Sequence, residues 1–122
     1  MTIAYWIVAG LAALAFFGAG AMKLIRPITA LREAGMGWVD DYSGTTVRLI
    51  ALAEVVGAIG LILPTATGIA PILSPIAGVA LSIIMAGAVA VHLRRKESAI
   101  PAIVLTALPL TAAILGFGIL PQ

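Results

Sequence analysis

The sequence has no cysteine and a single histidine, His92. Disulfides, thiol chemistry and cysteine-held metals or clusters are therefore closed to it, and so is any multi-histidine metal site. Charge is scarce as well. Only 10% of the 122 residues are Asp, Glu, Lys or Arg, while 62% are hydrophobic. A soluble domain of this length has too little interior to hide so much apolar surface, so the bilayer must solvate most of the chain. There is also no phosphate-binding glycine loop, no nucleophile elbow and no HExxH pair, which removes familiar signatures of nucleotide, acyl-transfer and zinc-protease chemistry. The seven basic residues are better read as topology signals than as a nucleic-acid footprint, and neither a nucleic-acid partner nor a cofactor is expected.

What remains is four apolar segments, at about residues 3–25, 46–63, 72–93 and 100–120. Each comes close to the roughly 20 residues a helix needs to cross hydrocarbon. Lipid admits only helices or closed barrels, and no alternating polar pattern supports a barrel. The expected fold is all-α: a four-transmembrane-helix bundle, one domain over residues 1–122, with a short interfacial segment between the first two spans. Ile28, Leu31 and Ala34 lie at helical spacing there, ahead of Gly35. The first segment lacks a basic leader and exceeds the apolar core of a signal peptide, so it is expected to stay as a helix.

Charge placement orients the bundle. Lys23, Arg26, Arg32 and Arg48 surround the first connection, and Arg94, Arg95 and Lys96 fill the third. The middle connection, "PTATGIAPILSP", and both tails hold no basic residue. The positive-inside rule then places residues 26–45 and 94–99 in the cytoplasm and both termini outside. Tyr5 with Trp6, and Trp38 with Tyr42, read as aromatic belts at the outer and inner interfaces. Ser43 or Thr45 is placed to cap the second span.

Small residues recur four apart. Ala9 with Ala13 and Ala15 with Ala19 do so in the first span, Ala53 with Gly57 in the second, and Gly78, Ser82, Ala86 and Ala90 in the third. Such ridges let helix backbones approach closely, which suits a tight bundle without a wide channel.

The polar intruders are few. Glu54 sits near the midpoint of "RLIALAEVVGAIGLILP", where a charge costs about 2.5–3.5 kcal/mol on insertion scales. Lys23 lies near the end of the first span and His92 near the end of the third. Helical side chains tilt toward the N-terminus, so Lys23 and His92 lean into the membrane while Glu54, about 12 Å inside, leans back toward them. A pocket lined by Lys23, Glu54 and His92 is the geometric expectation. Arg48, six residues before Glu54 and about 120° round the helix, is expected first to reach the phosphate region and only second to join the pocket. Such a site suits the polar head of a lipophilic molecule, a quinone carbonyl or a polyprenyl hydroxyl. A titratable Glu54 beside His92 also suits acid–base catalysis.

At these residues the chain resembles the DoxX-like family of small bacterial membrane proteins. The likeness is carried by "GAGAMKLIRP", "RLIALAEVVGAIGLILP" and "MAGAVAVHLRRKE", together with length and four-span layout. The family's G-x-x-K falls on Gly20 and Lys23, its E-x-x-G on Glu54 and Gly57, and its late histidine on His92. The resemblance implies the bacterial cytoplasmic (inner) membrane. It also implies kinship with subunits of quinone-linked oxidoreductases and of membrane oxidative-stress complexes, with a receptor-assembly chaperone among eukaryotic cousins. Lacking cysteine, this chain has no thiol for an exchange role. Three functions stay open: an accessory subunit with a lipophile pocket beside a redox partner protein, an intramembrane isomerase or cyclase using Glu54, and an assembly protein whose polar cluster only locks helices. A homo-oligomer is left open too.

Overall fold

The computed structural model describes residues 1–120. In chain order its helices are α1 (Thr2–Ile25), α2 (Ile28–Glu33), α3 (Gly44–Thr67), α4 (Leu73–Arg94) and α5 (Ile100–Gly118), with a 3-10 turn at Gly37–Asp41 between α2 and α3. Among the described residues there is no strand. The four long helices are each long and apolar enough to cross a membrane, so this is a four-span membrane protein.

Local chemistry explains the boundaries. Ser43 caps α3, its Oγ accepting from the Thr46 N–H at 3.1 Å. Pro101 stands in the first turn of α5, where its missing N–H is not needed. The short α2 ends on Gly35 at φ 98°, with Gly35 N–H donating to Arg32 O and Met36 N–H to Leu31 O, a Schellman stop. One boundary differs from the sequence reading. The apolar run places Pro64 just after the second span, yet α3 continues through it to Thr67. Neighbouring side chains hold that turn: the Thr65 N–H and the Leu61 carbonyl, which face each other in a regular helix, have outside partners in Ser74 Oγ, accepting at 3.2 Å, and the Tyr5 hydroxyl, donating at 2.5 Å. Side chains that re-satisfy freed backbone groups are what make proline tolerable inside a spanning helix.

The long helices run up and down around a ring. Packing is closest within two pairs, α1 with α3 and α4 with α5; α3 against α4 and α1 against α5 close the ring. Tyr5, Ala9, Ala12, Phe16, Gly20 and Lys23 form the buried stripe of α1, and Val47, Ala51, Glu54, Ala58 and Leu61 that of α3. Their spacings of three and four residues make a continuous seam. Lys23 and Glu54 are members of that seam.

Three glycines set how near the helices come. A Cβ on Gly20 would lie 2.8 Å from Ala51 O of α3, and one on Gly78 would lie 2.7 Å from Pro109 O of α5. One on Gly57 would meet the Leu81 side chain of α4 at 2.7 Å. Lipid supplies no hydrophobic drive for helix association, so dispersion across such close approaches carries the bundle. The α4 ridge is divided: Gly78 and Ser82 are buried, whereas Ala86 and Ala90 are exposed.

Tyr5 corrects the aromatic-belt expectation. It is fully buried, and its hydroxyl donates to Leu61 O at 2.5 Å. Trp6 packs edge-on against it and stays half-buried. The physical reason is room: small residues at Gly116 and along α1 admit a ring to the bundle axis, and the nearby backbone carbonyl satisfies its hydroxyl.

Candidate functional site

Every Asp, Glu, Lys and Arg of the described residues lies toward one end of the bundle, where α1 and α4 finish and α3 and α5 begin. At this charged end the two helix pairs part around an open cavity of about 640 Å³. Its wall is largely apolar, with Met85, Ala88 and Leu105 among its members, and Lys23, Glu54, Trp38, Tyr42 and His92 supply polar atoms. Cavities of this size with few polar groups are typical of small-molecule sites.

The deepest polar feature is the Lys23–Glu54 pair. Lys23 Nζ donates to Glu54 Oε1 at 2.5 Å, with Glu54 1% exposed and Lys23 7%. Their seam positions on the closely packed α1 and α3 bring them together. A buried charge without a partner is very costly, so each makes the other tolerable. Lys23 Nζ also stands 5.6 Å from the centre of the Trp38 ring, within cation–π range. Glu54 Oε2 has no protein partner among the described residues, and since no fully sealed side-chain oxygen or nitrogen lacks one, it fronts the cavity.

His92 lines the same cavity but bonds elsewhere. Its Nδ1 lies 2.9 Å from Glu97 Oε2, in the connection that follows α4. That connection turns back because Lys96 takes a left-handed conformation, φ 58°, letting the Glu97 N–H reach His92 O at 2.9 Å. Glu97 also accepts from Arg95, whose guanidinium reaches Asp41 Oδ2 at 2.8 Å. The hydrogen bonds from Arg95 and then His92 hold the Glu97 carboxyl below the usual carboxylate range. Asp41, Arg95, Glu97 and His92 thus tie the 3-10 turn to the end of α4 across the rim of the cavity.

Arg48 takes a third course. It is half-buried, and its guanidinium donates to the backbone carbonyl of Lys23. Carbonyls in the last turn of a helix have no intrahelical partner, so Arg48 caps α1 from the side instead of reaching outward to phosphate. It reinforces the α1–α3 contact beneath the pair. Of the candidates named from sequence, then, Lys23 and Glu54 touch, Arg48 braces Lys23 through the backbone, and His92 shares only the cavity. Gly20, Gly57 and Gly78 serve packing at three different interfaces. No group of three or more metal-ligating side chains occurs among the described residues.

Sequence reasoning passed over the cavity's aromatic cover. Trp38 and Tyr42, which the sequence marks as an interfacial belt, meet edge to face at 6.1 Å and line the cavity, as does Met36. The available signal was their place in the only long polar connection, flanked by Leu31, Val39 and Val47, which form a small buried cluster of their own.

A model of the DoxX-like family matches residues 7–116, most of the chain. The chain belongs to that family. No curated protein and no solved structure matches it.

Proposed function

We propose that this DoxX-like membrane protein is an accessory subunit that binds the head of a quinone or similar lipophile in its charged-end cavity. It would serve a redox partner in the bacterial inner membrane, with residues 26–45 and 94–99 in the cytoplasm. The observation that carries the reading is the buried Lys23–Glu54 pair opening onto an apolar space of about 640 Å³. A Lys ammonium brings three donors, and one serves Glu54. The others suit a carbonyl or hydroxyl oxygen, while Glu54 Oε2 can accept from a hydroxyl. Trp38 and Tyr42 offer ring faces and edges against which a flat head packs. The pair is neutral as a unit, which favours an uncharged head.

Extraction and mass spectrometry of lipophiles carried by the purified protein test this. One species should be enriched over the bulk membrane, and Glu54→Gln should lose it while the protein stays folded. The reading fails if nothing is enriched and Glu54→Gln alters no binding. A second reading is favoured by the partner-free Oε2: an intramembrane isomerase or cyclase in which Glu54 exchanges a proton with the substrate. Turnover that vanishes in Glu54→Gln while ligand binding persists would select it.

A further inference from the structure

We propose that the cavity opens sideways to the bilayer between α3 and α4, and that the ligand's hydrocarbon tail lies in the opening, across Gly87. This rests on the reading of the cavity as a lipophile site. Ile83, Gly87, Ala90 and Arg94 recur at spacings of four, three and four, so they form one stripe of α4. All four are exposed on the outside of the bundle, Ile83 by 68%, and all four also line the cavity that holds Lys23 and Glu54. Residues that do both lie where the cavity meets the outer surface.

The side on which it opens follows from the helix. Gly78 faces α5, whereas Ala77 and Leu81 face α3. At 100° per residue Gly87 lies about 180° from Gly78 and about 80–120° from those two, and the cavity-lining Ile84, Ala88 and Val91 fill the arc between Gly87 and the α3 side. In the uncharged half, α4 closes against α3 where Leu81 fills the space at Gly57 and Ala77 that at Gly60. In the charged half, Ile50 and Glu54 of α3 front the cavity instead. Nothing lies within 4 Å of where a Gly87 Cβ would stand, so the notch is open.

The occupant is set by what the opening leads to. Inside is Glu54 Oε2, on a side chain 1% exposed and without a protein partner. A partner helix laid on the stripe would cover its outside but could not reach that oxygen. An uncharged, oxygen-bearing head on a hydrocarbon tail satisfies both ends, and it arrives from the lipid phase without crossing the Asp41–Arg95–Glu97–His92 rim.

The test uses the full chain in lipid nanodiscs in a Trp6→Phe background, so that Trp38 alone reports binding by fluorescence quenching. The probes are a decyl-substituted benzoquinone and a benzoquinone without the tail. Gly87→Phe should weaken saturable binding of the decyl probe by about tenfold, because the groove gives a tail its apolar contact. Binding of the tailless probe should stay within about twofold, since the polar pair is untouched. Gly87→Ala should have a small effect, and neither substitution should lower Tm. Unchanged decyl binding in Gly87→Phe, or an equal loss for both probes, overturns the portal. Saturable binding of neither probe by the parent protein overturns the ligand reading itself.

Discussion

The two ends of the bundle are made by the same four helices, and they are solved oppositely. At the uncharged end, Tyr5 plugs the axis: its hydroxyl is on Leu61, and a Cβ on Gly116 would come within 3.2 Å of both its ring and Pro75. At the charged end the pairs part around a cavity; a Lys–Glu pair and an arginine cap join α1 to α3 on one side of it, and a rim of ion pairs ties the 3-10 turn to the end of α4. The difference shows what each kind of contact demands. Glycine and alanine let backbones touch and leave no room; buried ionised side chains are tolerated only in pairs, and Lys23 with Glu54 meets that demand within the closely packed α1–α3 seam, at the edge of the space the helix pairs leave between them.

The strongest way to break this contrast is to leave Glu54 without its partner. Lys23→Met should destabilise the protein by about 3–5 kcal/mol, the usual cost of orphaning one member of a buried ion pair. Thermal or denaturant unfolding in detergent measures it. Because the penalty comes from an uncompensated charge, Lys23→Met with Glu54→Leu should recover much of the loss. A double variant as unstable as the sum of the singles would show that the two side chains do not act as a pair.

A smaller effect separates rigid from yielding contacts among the glycines. Gly78→Ala pushes a methyl against the Pro109 carbonyl and the Ala113 backbone, neither of which can step aside. Overpacking of that kind costs about 1–3 kcal/mol. Gly57→Ala meets Cδ2 and Cγ of the buried Leu81 at 2.7 and 2.8 Å, a side chain that can shift where the Pro109 backbone cannot, so it should cost less than Gly78→Ala, about 1 kcal/mol. Equal losses in the two variants, read from the same unfolding curves, would mean that α3–α4 is packed as rigidly as α4–α5 and that the helices do not pair off as described.

Much of this was legible in the sequence, for identifiable reasons. Hydrocarbon thickness fixes span length, so the four helices could be placed to within a few residues, with α3 overrunning Pro64 where Ser74 and Tyr5 take up the Thr65 N–H and the Leu61 carbonyl. Tilt toward helix N-termini placed Lys23 and Glu54 at a common depth. What stayed hidden depends on which faces meet. Tyr5 and Trp38 have the composition of interfacial anchors, and only packing shows Tyr5 buried against Gly116 and Trp38 standing over Lys23 at the cavity. His92 and Arg48 were equally ambiguous: each can satisfy itself locally, on Glu97 and on the Lys23 carbonyl, and neither partner is marked by spacing. The seam itself was available, since Ala51, Glu54, Ala58 and Leu61 recur at three and four with the carboxylate in line.

The finest contrast concerns how the helices stop. At the uncharged end α3 ends on Gly68, φ 72°, a conformation that costs glycine nothing. At the charged end α4 ends on Lys96, φ 58°, where a Cβ crowds the following carbonyl at a cost of about 1–2 kcal/mol. Lys96→Gly relieves that strain while enlarging the freedom of the unfolded chain, which returns about 0.5–1 kcal/mol. The net should be a gain of up to about 1 kcal/mol, seen as a modest rise in Tm. The turn that brings Glu97 onto His92 and Arg95 would be kept, because its Lys96 and Glu97 N–H bonds to Leu93 O and His92 O are main-chain bonds. A fall in Tm would mean that the Lys96 side chain holds the rim together in a way these main-chain bonds do not, and that the charged end is less a strained edge than a fastened one.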